Sequence, residues 1–260
     1  MAQSKKDRRT AVDKIRREQK RADQRQGAII VGVCIVIALI IVGLTAYRPV
    51  KDWWDLRKFN DMQLAEIGGS TSSACAAREL RPAEGTQDHV PQGTNVKYDD
   101  APPAFGQHWD TPAPFNAWFY DSADRPPVEQ LVHNLEHGYT VVWYDETIAD
   151  DKDALVELEG VAKKFDELAD QGAGGTSNMR AKLKVVPWTS DDGEAFPDGQ
   201  HLAMTHWSTE VADADKGAFK GKTDGGVGVW QYCSEFSGEA LQDFMSDYPY
   251  TSSPEPLVEE

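Results

Sequence analysis

The densest chemistry in the chain lies in LVHNLEHG, Leu131 to Gly138. His133 and His137 stand four residues apart, with Glu136 beside the second. On a helix, residues four apart meet from successive turns, so this pair could present two imidazoles to one ion. The segment also fits the literal H-x-x-E-H order of inverted zinc peptidases, with Glu136 as the base. Two more histidines, His89 in DHVPQG and His108 in FGQHW, occupy Pro- and Gly-rich segments that can hold a ligand rigidly against a helix. A site built from His89, His108, His133 and His137 would take zinc or copper. The alternative is that these imidazoles only hydrogen-bond loop backbone to the helix, and no cofactor is then expected. His201 and His206 fall on opposite faces of a predicted strand and receive no role.

The motif needs a helix to position it. Val128, Leu131, Val132 and Leu135 recur at i, i+3, i+4 and i+7, an apolar stripe that faces a core. Glu129, His133, Glu136 and His137 fall on the other side. They are expected to face away from the core, toward solvent or toward the proline-rich loop. Pro126-Pro127 suits the helix start and Gly138 its C-terminal cap, with Asn134 inside. A helix of about three turns that stops straight after the second histidine weighs against a peptidase, which sets the pair within a long helix. No catalysis of its own is expected for this chain.

Around this helix the pattern predicts strands at YTVVWYD, AKLKVVPW, HLAMTHWS and VWQYC, with NAWFY as a further candidate. It predicts helices over DDKDALVELEGVAKKFDELADQG, ended by GAGG, and over SGEALQDFMSDY, with Ser237 as N-cap. The order implies an α+β fold, or an α/β fold with a thioredoxin-like order of elements but without the redox cysteines.

Gly27–Tyr47, GAIIVGVCIVIALIIVGLTAY, carries no charge, and about 20 apolar residues suffice to cross the hydrocarbon of a bilayer. Ten Lys/Arg against four Asp/Glu precede it in residues 1–26, while the chain as a whole carries −16. The positive-inside rule then predicts a single-pass anchor in the cell membrane with a cytoplasmic N-terminus and an extracytoplasmic C-terminal domain. Tyr47, Trp53 and Trp54 would sit at the outer interface. An acidic domain behind a basic tail excludes a nucleic-acid binder. The expected organisation is a basic tail over 1–26, the membrane helix over 27–47, a juxtamembrane helix ended by Gly68-Gly69 with a linker over 48–80, the outer domain over 81–250, and a disordered acidic tail over 251–260. Residues 81–126 should be mostly ordered loop. Of the three cysteines, Cys34 lies within the apolar span, whereas Cys75 and Cys233 are expected to pair as a structural disulfide in an oxidising compartment.

The segments HVPQGTNVKYDDAPPAFGQHW and PPVEQLVHNLEHG together resemble a bacterial family known only as a domain of unknown function. Its members join an H-V-P…P-P-x-x-G-x-H loop to an L-V-H-N-L-E-H-G helix, and many are membrane-anchored. The match runs through His89, Val90, Pro91, Tyr98, Pro102, Pro103, Gly106 and His108, then Leu131 to Gly138. The family usually has a small hydroxyl residue where Phe105 stands and glycine where Tyr139 stands. Together with the basic tail and anchor, the chain is also similar to accessory subunits of the actinobacterial cytochrome bcc–aa3 respiratory supercomplex. That resemblance implies the lipid bilayer and the cytochrome bcc and aa3 oxidase components as partners, and a role in assembly.

Overall fold

The computed structural model describes residues 2–172 and 178–256; within the first helix, the side chains of 2–13, 15, 22, 48, 49 and 52 lie outside the described set. The chain divides into two compact units, 1–55 and 56–260.

The first unit is helix α1, Ala2–Leu56, which reaches one residue beyond it. The stretch Arg16–Tyr47 is long and apolar enough to cross a membrane, and its Ile, Val and Leu side chains are exposed along its length. Thr45 returns its hydroxyl to the carbonyls of Ile41 and Val42, so this polar side chain is satisfied within the helix.

The second unit is a mixed α+β domain. The helix expected to run to Gly68 stops at Leu56; two 3₁₀ turns, Arg57–Phe59 and Leu64–Glu66, follow and bury Phe59 and Ile67. Then come α2 (Thr71–Ala74), β1 (Glu79–Pro82), β2 (His89–Val90), β3 (His108–Trp109), α3 (Val128–Glu136), β4 (Thr140–Tyr144), α4 (Glu146–Asp150), α5 (Lys152–Ala169), β5 (Leu183–Pro187), β6 (Leu202–Ser208), β7 (Val227–Cys233) and α6 (Gly238–Asp247). Five strands form one sheet in the order β1-β7-β6-β4-β5, antiparallel except for β4 beside β5. Outside β5, the NAWFY segment runs parallel through one bridge, Phe119 to Val185, and donates the Tyr120 N–H to the Val185 carbonyl. β2 and β3 make a separate parallel ribbon that aligns His89 with His108.

Strand alternation sorts the sheet into two faces. Val142, Tyr144, Leu183, Val185, Leu202, Met204, Val227 and Val229 point to one face, where the apolar stripes of α5 and α6 pack. Val141, Trp143, Val186, Ala203, Trp207, Trp230 and Tyr232 point to the other, under α3 and the proline-rich loop. Phe105 packs on this second face against Trp207 and Trp230, at 6.5 and 6.0 Å between ring centroids. Gly228 makes room for it, since a Cβ there would lie 2.5 Å from the Phe105 ring. Tyr139 stacks on Phe115, with ring centroids 5.7 Å apart.

Cys75 and Cys233 form the disulfide. Ser237 caps α6 by accepting the Ala240 N–H. The GAGG expected to end α5 lies, from residue 173, outside the described residues. The acidic tail is not free over 251–256. It makes a 3₁₀ turn at Tyr250–Ser252, and the Glu255 N–H donates to the Glu136 carbonyl. The turn-forming Pro249 and these backbone bonds hold it, which composition does not signal; 257–260 lie outside the described residues.

Candidate metal centre

Helix α3 begins after Pro127 and ends at Gly138, whose φ of +85° places it in the left-handed region. The Gly138 N–H donates to the Leu135 carbonyl and the Tyr139 N–H to that of Asn134, the paired bonds of a Schellman cap. The tail crosses closely here, for a Cβ on Gly138 would lie 2.5 Å from the Tyr250 carbonyl oxygen. Only glycine fits both the turn and the crossing.

Leu131, Val132 and Leu135 are buried against the sheet, as the stripe predicts. The opposite stripe does not face solvent. His133, Glu136 and His137 are themselves buried, because the proline-rich loop covers them and the tail closes the C-terminal end. Polar contacts fasten that cover. Glu129 accepts the Val96 N–H, and Asn134 exchanges two hydrogen bonds with the Ala113 backbone, at 3.0 and 3.1 Å. Lys182 donates to the carbonyls of His137 and Pro256, joining the helix end to the tail.

All four motif histidines meet here. His133 Nε2 lies 2.7 Å from His137 Nε2. Glu136 Oε2 lies 3.0 Å from His108 Nε2 and 3.1 Å from His89 Nε2. The ligand atoms of His89, His108 and His133 all fall within 4.8 Å of one another, as do those of His133, Glu136 and His137. His133 belongs to both sets.

The outer ring nitrogens decide what the inner ones can do. His108 Nδ1 is 2.8 Å from the Gly106 carbonyl, His133 Nδ1 is 2.6 Å from that of Trp109, and His137 Nδ1 is 3.1 Å from that of Glu255. A carbonyl only accepts, so each Nδ1 must carry the proton and donate. Each neutral ring then turns a lone pair inward at Nε2. Two lone pairs then meet between neutral His133 and His137, and His108 Nε2 faces the Glu136 carboxylate. A positive charge at Nε2, carried by a metal ion or by a second proton on the ring, makes either contact favourable.

Burial sets the electrostatics. It pushes His133 down to about 4 despite the bond to Trp109. Burial likewise lowers His137, outweighing the Glu255 carbonyl. Burial alone would raise the Glu136 carboxyl, but the contacts with His108 and His89 outweigh it and hold the group below its usual range. Burial therefore favours neutral rings at His133 and His137 beside a charged Glu136 carboxylate, the protonation states that metal ligands need.

His201 instead bonds Asp145 at 2.8 Å, half-exposed at the start of α4. His206 is fully buried and donates through Nδ1 to the Tyr139 carbonyl. The anchors themselves, the carbonyls of Gly106, Trp109 and Glu255, belong to the main chain and have no side-chain signature in the sequence.

Neither a curated protein nor a solved structure matches this chain. Residues 89–217, from the first site histidine to past β6, match the model of a family described as a protein of unknown function, DUF3105.

Proposed function

We propose that the domain over residues 56–260 binds one divalent zinc or copper ion at His133 Nε2, with His89, His108, His137 and Glu136 as the surrounding donors. One observation carries this: three buried rings are each anchored by Nδ1–H to a backbone carbonyl, so that their Nε2 atoms turn inward beside a carboxylate. Metal-bound histidines characteristically donate their second nitrogen in this way. Zinc–nitrogen distances of about 2.0–2.1 Å put two tetrahedral donors roughly 3.3 Å apart, so His133 and His137 would separate slightly from 2.7 Å as the ion enters. Because Nδ1 of His133 is committed to Trp109, that ring has one nitrogen to give, which favours one ion over two. Imidazole and carboxylate without thiolate suit zinc(II) and copper(II).

The ion would sit in an extracytoplasmic domain held to the cell membrane by α1. The basic segment ahead of the apolar span and the disulfide between Cys75 and Cys233 support that orientation. Metal analysis of the purified chain is the test. One zinc or copper ion per chain is expected, and none in His133→Ala. A chain that stays empty after incubation with either ion, or a His133→Ala variant that binds as well as the parent, would refute the site.

The accessory-subunit role is a second proposal, favoured by the apolar span of α1, whose described Ile, Val and Leu side chains are exposed. Purification from gently solubilised membranes through a C-terminal tag should recover cytochrome bcc and aa3 oxidase components. Recovery of the chain alone would end that proposal.

A further inference from the structure

The four histidines are not equivalent. The rings of His108, His133 and His137 are 0, 4 and 4% exposed, and each is tied to a carbonyl through Nδ1. The His89 side chain is 44% exposed, and among the described residues its Nδ1 has no hydrogen-bond partner. Its ring lies flat on His133, with centroids 4.9 Å apart and planes 4° apart, and meets the His108 ring edge-on at 4.7 Å. His89 thus covers the other nitrogens on the solvent side. Its support is slight: a two-residue strand between Gly85 and Gly93, both at positive φ and both with open space around them.

We infer that His89 is the exchangeable ligand of this centre: the ion loads and leaves on the His89 side, and an incoming monodentate nitrogen donor takes the position His89 holds. This rests on the metal reading above. Turning a buried ring out of the site breaks its bond to a carbonyl and leaves a buried polar group unpaired, before any bond to the ion is counted. His89 gives up only its contact with Glu136, which keeps its partner His108. In the exchange, the bond from the ion to His89 Nε2 breaks as a bond to the incoming nitrogen forms. One neutral donor replaces another, so charge and oxidation state do not change.

Cobalt(II) loaded into the full chain in detergent makes the ligand set visible, and free imidazole serves as the incoming donor. The parent should bind one cobalt and show a defined absorption spectrum. His89→Gly should show an altered spectrum and release cobalt to a chelator at least tenfold faster, and imidazole should restore both. His137→Gly should not be restored, because imidazole cannot reach a buried position. His89→Asn, which keeps the loop's side-chain bulk, should repeat the fast release. A His89→Gly variant with the parental spectrum and release rate, or one that imidazole does not restore, would overturn the inference; so would equal rescue of His137→Gly. A parent chain that binds no cobalt, zinc or copper would instead remove the metal centre itself.

Discussion

The two faces of the sheet are covered by the same kinds of element and held by different physics. On one face, α5 and α6 lay apolar stripes over valines and leucines, and the contact is almost wholly hydrophobic. On the other, α3 is sandwiched. Its leucines meet the sheet, while its polar stripe meets a loop that shields it from water. Burial there depends on each polar group finding a partner, because an unpaired one costs about as much as a whole hydrogen bond contributes. The first face should therefore respond to lost volume, and the second to lost partners and lost metal.

The largest effect should come from the crosslink on the apolar side. Replacing Cys75 and Cys233 by serine opens a loop with a sequence separation of 158, which the chain-entropy model values at about 5 kcal/mol. Urea unfolding of the double variant should show the loss with and without a metal chelator. A loss that vanishes in chelator would tie the crosslink to the site and break the division between the faces. Next come paired substitutions, one on each face. Phe244→Ala removes a fully buried ring under α6 and should cost about 3–5 kcal/mol regardless of metal. His133→Ala should abolish the metal-dependent part of stability, about 4 kcal/mol at free metal a thousandfold above Kd. Thermal unfolding of both variants with zinc and with chelator checks this. Equal metal dependence in both would merge the two faces into one cooperative response.

This division also marks what could be read from the residues alone. The stripes of α5 and α6, the Ser237 cap and the Gly138 stop follow from local spacing, and they appear where spacing puts them. The polar stripe of α3 was legible as a stripe, but its cover was not. Periodicity reports which side of a helix faces the sheet and carries nothing about a loop arriving from 21 to 47 residues upstream. β1 and α4 escaped notice for related reasons. Glu79–Pro82 becomes a strand by pairing with β7, a long-range partner, whereas α4 is one turn between the caps Asp145 and Asp151, too short to show a helical period. The tail was read from its acidity, yet the Glu255 main chain does its work at the site.

A smaller effect probes a buried polar group on the apolar side. His206 alternates with Leu202 and Met204, lies 6.4 Å from the Tyr248 ring and is fully buried. Burial pushes it from 6.5 down to about 4. Between those values the unfolded chain binds a proton that the folded chain refuses, so stability rises with pH in that window. The contribution of the neutral ring is complete above pH 6.5 and is lost as pH falls toward 4, about 3 kcal/mol in all. Urea unfolding in chelator from pH 7 to 4 should show a shallower decline for His206→Gln. An unchanged decline would mean that other groups govern acid sensitivity.

The smallest effect separates the ways the two faces begin their helices. Ser237 accepts the Ala240 N–H at the start of α6, a side-chain cap whose loss to alanine costs about 1 kcal/mol. Helix α3 starts at Pro127 with no side-chain cap, and its early N–H groups at Gln130 and Leu131 reach the Pro127 carbonyl instead. Proline there contributes a preset φ rather than a bond, and the loop contacts of Glu129, His133 and Asn134 hold the helix in place. Ser237→Ala should lower Tm by about 2–4 °C in a domain of this size. Pro127→Ala should shift it by less, because the contacts from the loop remain. If Pro127→Ala proves the more damaging, α3 depends on its own start as α6 does, and the contrast between a helix fixed by local signals and one fixed by its cover fails at its simplest point.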